Sequence, residues 1–357
     1  MSTTETLIMN RILKTVAERG ATDIHFVIGN YPYLRVKSQL LPLTEEELIN
    51  PETMKSIIDF FVSDDKKELI KEKKELKFIF DWQSMARFRV HIFQQKGFFS
   101  VSLKLISSKI KSLAEIGLPK IIENFIQQTK GLLIIAGAFN SGRSSTAASI
   151  IENINQTRSE HILYLEEPIE QLFVNNKSII EQRQVGLDVA SFVEGLSSAK
   201  DEDVNIIIVS KVDSPESLEL ILELSESGRL VIAIFDNDSV ISVLNNIVSE
   251  FSDEKVVWAR NVLAESLIGI IVQQLVPKVS GGMALAAEIL TQTPSVQALL
   301  KEGRFAQLES IIQTSRAEGM VSLDRSLSEL VQNGEVSAEE AIKYVKDPKM
   351  FKTALRK

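Results

Sequence analysis

The stretch Leu132-Leu-Ile-Ile-Ala-Gly-Ala-Phe-Asn-Ser-Gly-Arg-Ser144 decides the fold. It opens as a continuous apolar run, passes through a loop bounded by Gly137 and Gly142, and leads into Ala147, Ile150, Ile151 and Ile154. That last set recurs at i, i+3, i+4 and i+7, the apolar stripe of an amphipathic helix. Strand, glycine loop and helix are the context required of a G-x-x-x-x-G-K-[ST] phosphate loop. In such a loop glycines let backbone N–H groups turn inward around phosphates, and the helix N-terminus adds partial positive charge. The spacing fits, but Arg143 stands where a compact ammonium would reach the terminal phosphates, and its guanidinium is planar and bulkier. Asn140 falls in the loop as well, and asparagine tolerates positive φ better than most residues. Taken alone, a glycine-containing βα turn that binds nothing has the same local signature.

Outward from this stretch the pattern repeats. Ile162-Leu-Tyr-Leu, Ile206-Ile-Ile-Val and Leu230-Val-Ile-Ala-Ile-Phe are further continuous apolar runs, as expected of parallel strands buried on both faces. Helical patterns lie between them, so repeated βα units imply an α/β fold with a parallel sheet covered by helices. Beyond Thr291 the pattern is helical throughout, with starts at Thr293-Pro294 and Ser322-Leu-Asp.

The N-terminal hundred residues read differently. Ile8, Ile12, Leu13 and Val16 predict an opening helix over about Leu7 to Glu18, stopped by Gly20. Ile24, Phe26 and Ile28 alternate with polar neighbours, and Tyr33-Leu-Arg-Val follows a turn. Pro51-Glu52 starts a second helix that runs through the charged stretch to Lys74, whose sequence DDKKELIKEKKEL reads as a solvated face. Two more strands, around Phe88 to Phe93 and Phe99 to Leu105, meet in a hairpin at Lys96-Gly97. This part reads as a small antiparallel α+β domain, joined to the rest by a polar linker from Ser107 to Ser112.

Composition narrows the function. The 357 residues are 44% hydrophobic, enough for two domains with separate cores. A net charge of −8 argues against a general nucleic-acid binder, which needs a concentrated basic surface. With no cysteine and with His25, His91 and His161 far apart, neither a disulfide framework nor a structural metal is expected. No apolar leader and no run of about 18 uncharged apolar residues is present, so a cytoplasmic protein without membrane insertion is expected.

A series of landmarks extends along the chain: Arg19-Gly-Ala-Thr-Asp-Ile-His, Ala86-Arg-Phe-Arg-Val-His-Ile-Phe, Gly117-Leu-Pro, Gln182-Arg-Gln-Val-Gly, Leu263-Ala-Glu-Ser-Leu, Ile311-Ile-Gln-Thr-Ser-Arg-Ala-Glu-Gly-Met and Leu323-Asp. In this order they resemble the PilT-type retraction ATPases of type IV pili, within the type II/IV secretion ATPase superfamily. The resemblance implies a PAS-like domain over residues 1–106, a linker over 107–116, a RecA-like ATPase domain over 117–290 and a helical part over 291–357, assembled as a ring of six.

The resemblance also assigns site residues. Gly137, Ser141, Gly142, Arg143, Ser144 and Ser145 would hold nucleotide, ATP or ADP, with Arg87 and Arg89 near it from the N-terminal domain. The family's acidic box, T-I-E-D-P-I-E, is Tyr164-Leu-Glu-Glu-Pro-Ile-Glu170, which keeps Glu166 and Glu170 as catalytic positions. The family's D-V-I-L-V-G-E-M becomes Asn205-Ile-Ile-Ile-Val-Ser-Lys-Val212, so an amide and a cation, Asn205 and Lys211, replace two anions that would hold Mg²⁺ and orient water. At about 4 Å and an effective dielectric near 20, each such charge is worth roughly 4 kcal/mol. The family's histidine box becomes Gly228-Arg-Leu-Val-Ile-Ala-Ile-Phe-Asp-Asn237, with Arg229 and Asp236 at the histidine positions, and Gln297 stands where the family has a C-terminal arginine.

With these motifs degraded, the expectation is a PilT-like pseudo-ATPase, with Mg²⁺ use doubtful, that forms a homo-oligomer or a mixed ring with an active PilT-type ATPase. It would act peripherally at the inner-membrane pilus machine, against its platform protein. The alternatives are an active retraction motor with unusual residues and an interaction scaffold that binds no nucleotide. Lys211 is further expected to be partly buried and paired with Glu166 or Glu167, because both segments end neighbouring strands.

Overall fold

The computed structural model describes residues 3–36, 39–83, 85–106 and 109–355. By packing, the chain divides into two compact units: Met1–Lys109 with Pro168–Leu172, and Ile110–Glu167 with Phe173–Lys357. Ser107 and Ser108 of the expected linker lie outside the described residues. Pro168–Leu172 leaves the second unit's sequence and belongs to the first, an excursion that no composition shift marks.

The first unit is built on an antiparallel sheet of β1 (Asp23–Phe26), β2 (Tyr33–Val36), β3 (Gln39–Pro42), β4 (Glu75–Trp82), β5 (Ala86–Gln95) and β6 (Phe98–Ile106), ordered β3-β2-β1-β6-β5-β4. The opening helix, Thr3–Arg19, buries Met9, Ile12, Leu13 and Val16 at i, i+3, i+4 and i+7. Ile8, expected on that stripe, is instead 38% exposed, so the buried face is set one residue later. The single helix expected from Pro51 to Lys74 is two, Pro51–Phe61 and Asp64–Lys73. Val62 breaks it by turning to an extended conformation that buries its side chain in the core. Lys74, in the left-handed region at φ +60°, ends the second helix and releases the chain into β4, a strand not resolved by periodicity alone. Lys96 and Gly97, both at positive φ, make the two-residue turn that joins β5 to β6 in register.

The second unit carries β7 (Gly131–Gly137), β8 (His161–Glu166), β9 (Ile179–Gln184), β10 (Ile206–Val209), β11 (Leu230–Phe235), β12 (Leu267–Pro277) and β13 (Met283–Thr291), ordered β13-β12-β7-β11-β10-β8-β9. All neighbours are parallel except the β12/β13 hairpin. The apolar runs divide by parity. Leu132, Ile134, Leu163, Ile207 and Val231 face one core with Phe192, Leu244 and Leu263. Leu133, Ile135, Ile162, Ile208 and Ile232 face the other with Phe125, Ile150 and Ile154. A sheet covered on both faces follows, and each fully buried aliphatic side chain contributes roughly 1.5–3 kcal/mol. The helices beyond Thr291 belong to this unit. Pro294–Glu302 starts at its cap Thr293 and Leu323–Gln332 at Ser322, where the sequence marks them. Leu327, Ala341 and Phe351 close a further core against Val276, Ala284 and Ala286 of the hairpin.

Candidate functional site

The phosphate loop sits at the carboxyl end of β7. Gly137 is required there because an added Cβ would meet the carbonyl oxygen of Gln273 at 2.6 Å. Asn140 (φ +63°) and Gly142 (φ +94°) both occupy the left-handed region, which turns the chain into the helix Arg143–Thr157. The Ser141 side chain is buried with its hydroxyl unpartnered, whereas Ser144 and Ser145 in the first helical turn are exposed. Gln273 of β12 is paired in register with Gly137, and its Nε2 donates to Thr146 Oγ1 at 2.7 Å. This buried contact ties the loop's helix to the neighbouring strand. Sequence reading missed Gln273 because β12 itself was not resolved; a glutamine pair inside an otherwise apolar run, Gln273-Gln274, was the available signal.

Beside β7 lies β11, and Asp236 follows its last residue. Arg143 Nη1 donates to the carbonyl oxygen of Phe235 at 2.6 Å and forms an ion pair with Asp236 Oδ1. The Arg143 side chain is 15% exposed and that of Asp236 75%. The cation of the phosphate loop is therefore seated against its own chain.

One strand farther, Lys211 follows β10. Its Nζ lies 3.8 Å from Glu167 Oε2, with both side chains about half exposed at 53% and 52%. The pairing is present, but the expected burial of Lys211 is not, because the segment after β10 faces solvent at the carboxyl ends of the strands. Glu166, the last residue of β8, is buried and accepts a hydrogen bond from Gln182 Nε2 at 3.1 Å. Since neighbouring strands are about 4.8 Å apart, the loop strand and the Glu166 strand are separated by roughly 14 Å across β11 and β10.

Two expected positions do not join this edge. Asn205 precedes β10 at its amino end, where its Oδ1 accepts from the His161 amide at 2.8 Å. The four residues of β10 place it roughly 13 Å below the loop edge, where its side chain serves strand pairing. Arg229 is also at the amino edge, donating to Ser227 Oγ and to the carbonyls of Lys200 and Glu202. Asn205 and Arg229, expected as degraded counterparts of catalytic positions, thus lie at the amino ends of β10 and β11, a strand's length from the loop.

The acidic box is likewise divided. Glu170 belongs to the first unit, where its Oε1 pairs with Arg89 Nη1 at 2.6 Å, while Arg87 Nε pairs with Asp81 at 2.7 Å. Arg87 and Arg89 share the polar face of β5, opposite buried Phe88, Val90 and Ile92. Among the described residues no group of three or more His, Asp or Glu side chains is gathered as a metal site. No helix of the described residues is long and apolar enough to cross a membrane.

Comparison with known proteins agrees with this architecture. The family model described as "Type II/IV secretion system protein" matches residues 1–353. The type IV pilus retraction ATPase PilT of Pseudomonas aeruginosa is 32% identical over 96% of this chain and 99% of its own length. A twitching motility protein of Neisseria gonorrhoeae is 32% identical over 87% of this chain and 83% of its own. Among solved structures, the pilus retraction motor PilT with bound ADP superposes with a TM-score of 0.85 at 32% identity, covering 96% of this chain and 98% of that one. The ATPase DotB of Legionella pneumophila, at 21% identity and a TM-score of 0.83, shares the fold over 94% of both chains. With the family model matched nearly end to end and the phosphate loop, sheet order and flanking helices in place, this chain belongs to the type II/IV secretion system protein family and is a PilT-like member of it.

Proposed function

We propose that this chain is a nucleotide-binding but hydrolytically silent member of the pilus motor family, which joins or regulates the ring of a pilus retraction machine. The observation that carries the reading is the state of the loop edge: Arg143 is paired with Asp236, and Lys211 with Glu167. Phosphoryl transfer depends on positioning and on compensation of charge at the phosphates. Here the loop cation is already neutralised, and a cation stands where the family resemblance calls for a water-orienting acid. The backbone cradle survives in Gly137, Asn140 and Gly142, which supports binding without turnover.

The residues at this edge do not fit a carboxylate-assisted Mg²⁺ site. Ser144 offers a hydroxyl in the first helical turn, but Asp236 is engaged by Arg143, Asp238 by Ser242 and Glu288 by Lys346, and farther along the edge Glu167 pairs with Lys211. No step is assigned to a metal. The first unit, read as the PAS-like domain of the family, would pack against the second unit of a neighbouring subunit in a ring of six at the cytoplasmic face of the pilus machine.

Nucleotide titration combined with phosphate-release assays tests the reading: binding of ADP and ATP with background turnover is expected. Robust Mg²⁺-dependent turnover that Ser144→Ala abolishes would overturn it in favour of an active motor. Sedimentation, alone and with an active homologue, should give a large oligomer; a strict monomer in both cases contradicts the ring.

A further inference from the structure

The loop edge holds one acid whose placement the family resemblance does not account for. Arg143 is largely buried and keeps a backbone anchor, the carbonyl of Phe235, which no side-chain change removes. Its ion-pair partner Asp236 is mostly exposed and can swing into solvent at little cost. The pair is thus asymmetric, a fixed cation facing a movable anion. Asp238, two residues on, is engaged elsewhere: its Oδ1 accepts from Ser242 Oγ at 3.2 Å within the cap of the following helix.

We propose that Asp236 is an internal competitor for the phosphate loop: its carboxylate occupies Arg143 and is displaced when the diphosphate of a nucleotide binds, so that Asp236 sets the nucleotide affinity. This rests on the nucleotide-binding reading above. A phosphate oxygen approaching Arg143 meets an anion already in place, and two like charges cannot share one guanidinium face without repulsion. Displacement of the exposed acid, with the Phe235 anchor retained, relieves it. Affinity is then the difference between two pairings of the same cation.

The test uses the full chain and ADP as probe, by calorimetry. Asp236→Asn keeps the shape and removes the charge; affinity should rise roughly fivefold, the upper range for an exposed ion pair. Asp213→Asn removes an exposed acid after β10 that has no part in the pairing and should change affinity by less than about twofold, which separates competition from general charge. Arg143→Ala should weaken binding more in the Asp236→Asn background than in the parent, because only there is the guanidinium free. If the parent binds ADP and Asp236→Asn binds no tighter, or no tighter than Asp213→Asn, the inference fails while nucleotide binding stands. If only Asp236→Asn binds, the inference is supported in its strongest form. If neither binds at millimolar ADP, both it and the nucleotide-binding reading are overturned.

Discussion

Gln273 Nε2 donates to Thr146 Oγ1 at 2.7 Å beneath the phosphate loop, joining β12 to the first turns of the loop's helix, with both residues buried. A buried polar contact of this kind has a large cost if half of it is removed, because the remaining group keeps its desolvation penalty. Gln273→Leu should therefore destabilise the second unit by about 1–3 kcal/mol. Adding Thr146→Val should recover part of that loss, since no unsatisfied hydroxyl then remains. Chemical denaturation of the two single variants and the double one reads the coupling; strict additivity would show that the contact holds nothing.

The half-exposed pair of Lys211 and Glu167 leads to a prediction about metal dependence. With a cation on this edge and the nearby carboxylates engaged, ADP affinity should change little between Mg²⁺ and EDTA. Calorimetry in the two buffers measures it. A fall of tenfold or more on chelation, about 1.4 kcal/mol, would reveal a metal site that the side chains do not show.

Much of this was legible in sequence, for physical reasons that differ by element. The strands β7, β8, β10 and β11 announce themselves because burial on both faces demands unbroken apolar runs. The edge strand β9, Ile-Ile-Glu-Gln-Arg-Gln, needs no such run and was silent. The β12/β13 hairpin was hidden because Gly269, the Gln273-Gln274 pair and the alanines of 284–287 dilute the strand signal. At the site, the loop was readable from spacing, but the two ends of a strand are not distinguished by a motif string. That is why Asn205 and Arg229 were read with the loop while the structure puts them at the opposite edge. The partner of Arg143 was not readable either, since Asp236 lies 93 positions later and meets it only through the adjacency of β7 and β11.

In the first unit, His25 and His91 should make stability depend on pH. Burial holds the His25 imidazole below its ordinary value of 6.5, with Asp23 opposing and Arg35 reinforcing the shift. Burial also lowers His91, helped by Lys77 and Arg89 and opposed by Glu75. The unfolded chain then takes up these protons at higher pH than the fold does, so stability is fully present above about 6.5 and is lost as pH falls from there through the lower folded-state values. Glu75, lowered first by its hydrogen bond from Lys77, adds a loss of the same sign below its ordinary 4.5. Trp82, buried in this unit, reports the transition in a Trp258→Phe background. Denaturation midpoints between about pH 8 and pH 5.5 should fall, and a His25→Gln, His91→Gln variant should flatten the slope. An unchanged slope would assign the pH dependence elsewhere.

The sharpest prediction concerns which reversions matter for hydrolysis. Lys211→Glu alone should leave turnover at background, because Arg143 remains bound to Asp236 and the loop lacks its ordinary ammonium. Restoring three positions together, Arg143→Lys, Asp236→His and Lys211→Glu, supplies the compact cation, removes the competing carboxylate and places an acid at the end of β10. Partial Mg²⁺-dependent phosphate release is expected from that triple variant, since positioning and charge compensation are what such sites contribute. Adding Asn205→Asp should give no further gain. From the amino end of β10 a carboxylate there accepts from the His161 amide, as the amide oxygen does now, and remains a strand's length from the phosphates. A fourth substitution that proves necessary for turnover would mean that the amino edge communicates with the loop, and turnover by Lys211→Glu alone would mean that the Arg143–Asp236 pair does not restrain the site.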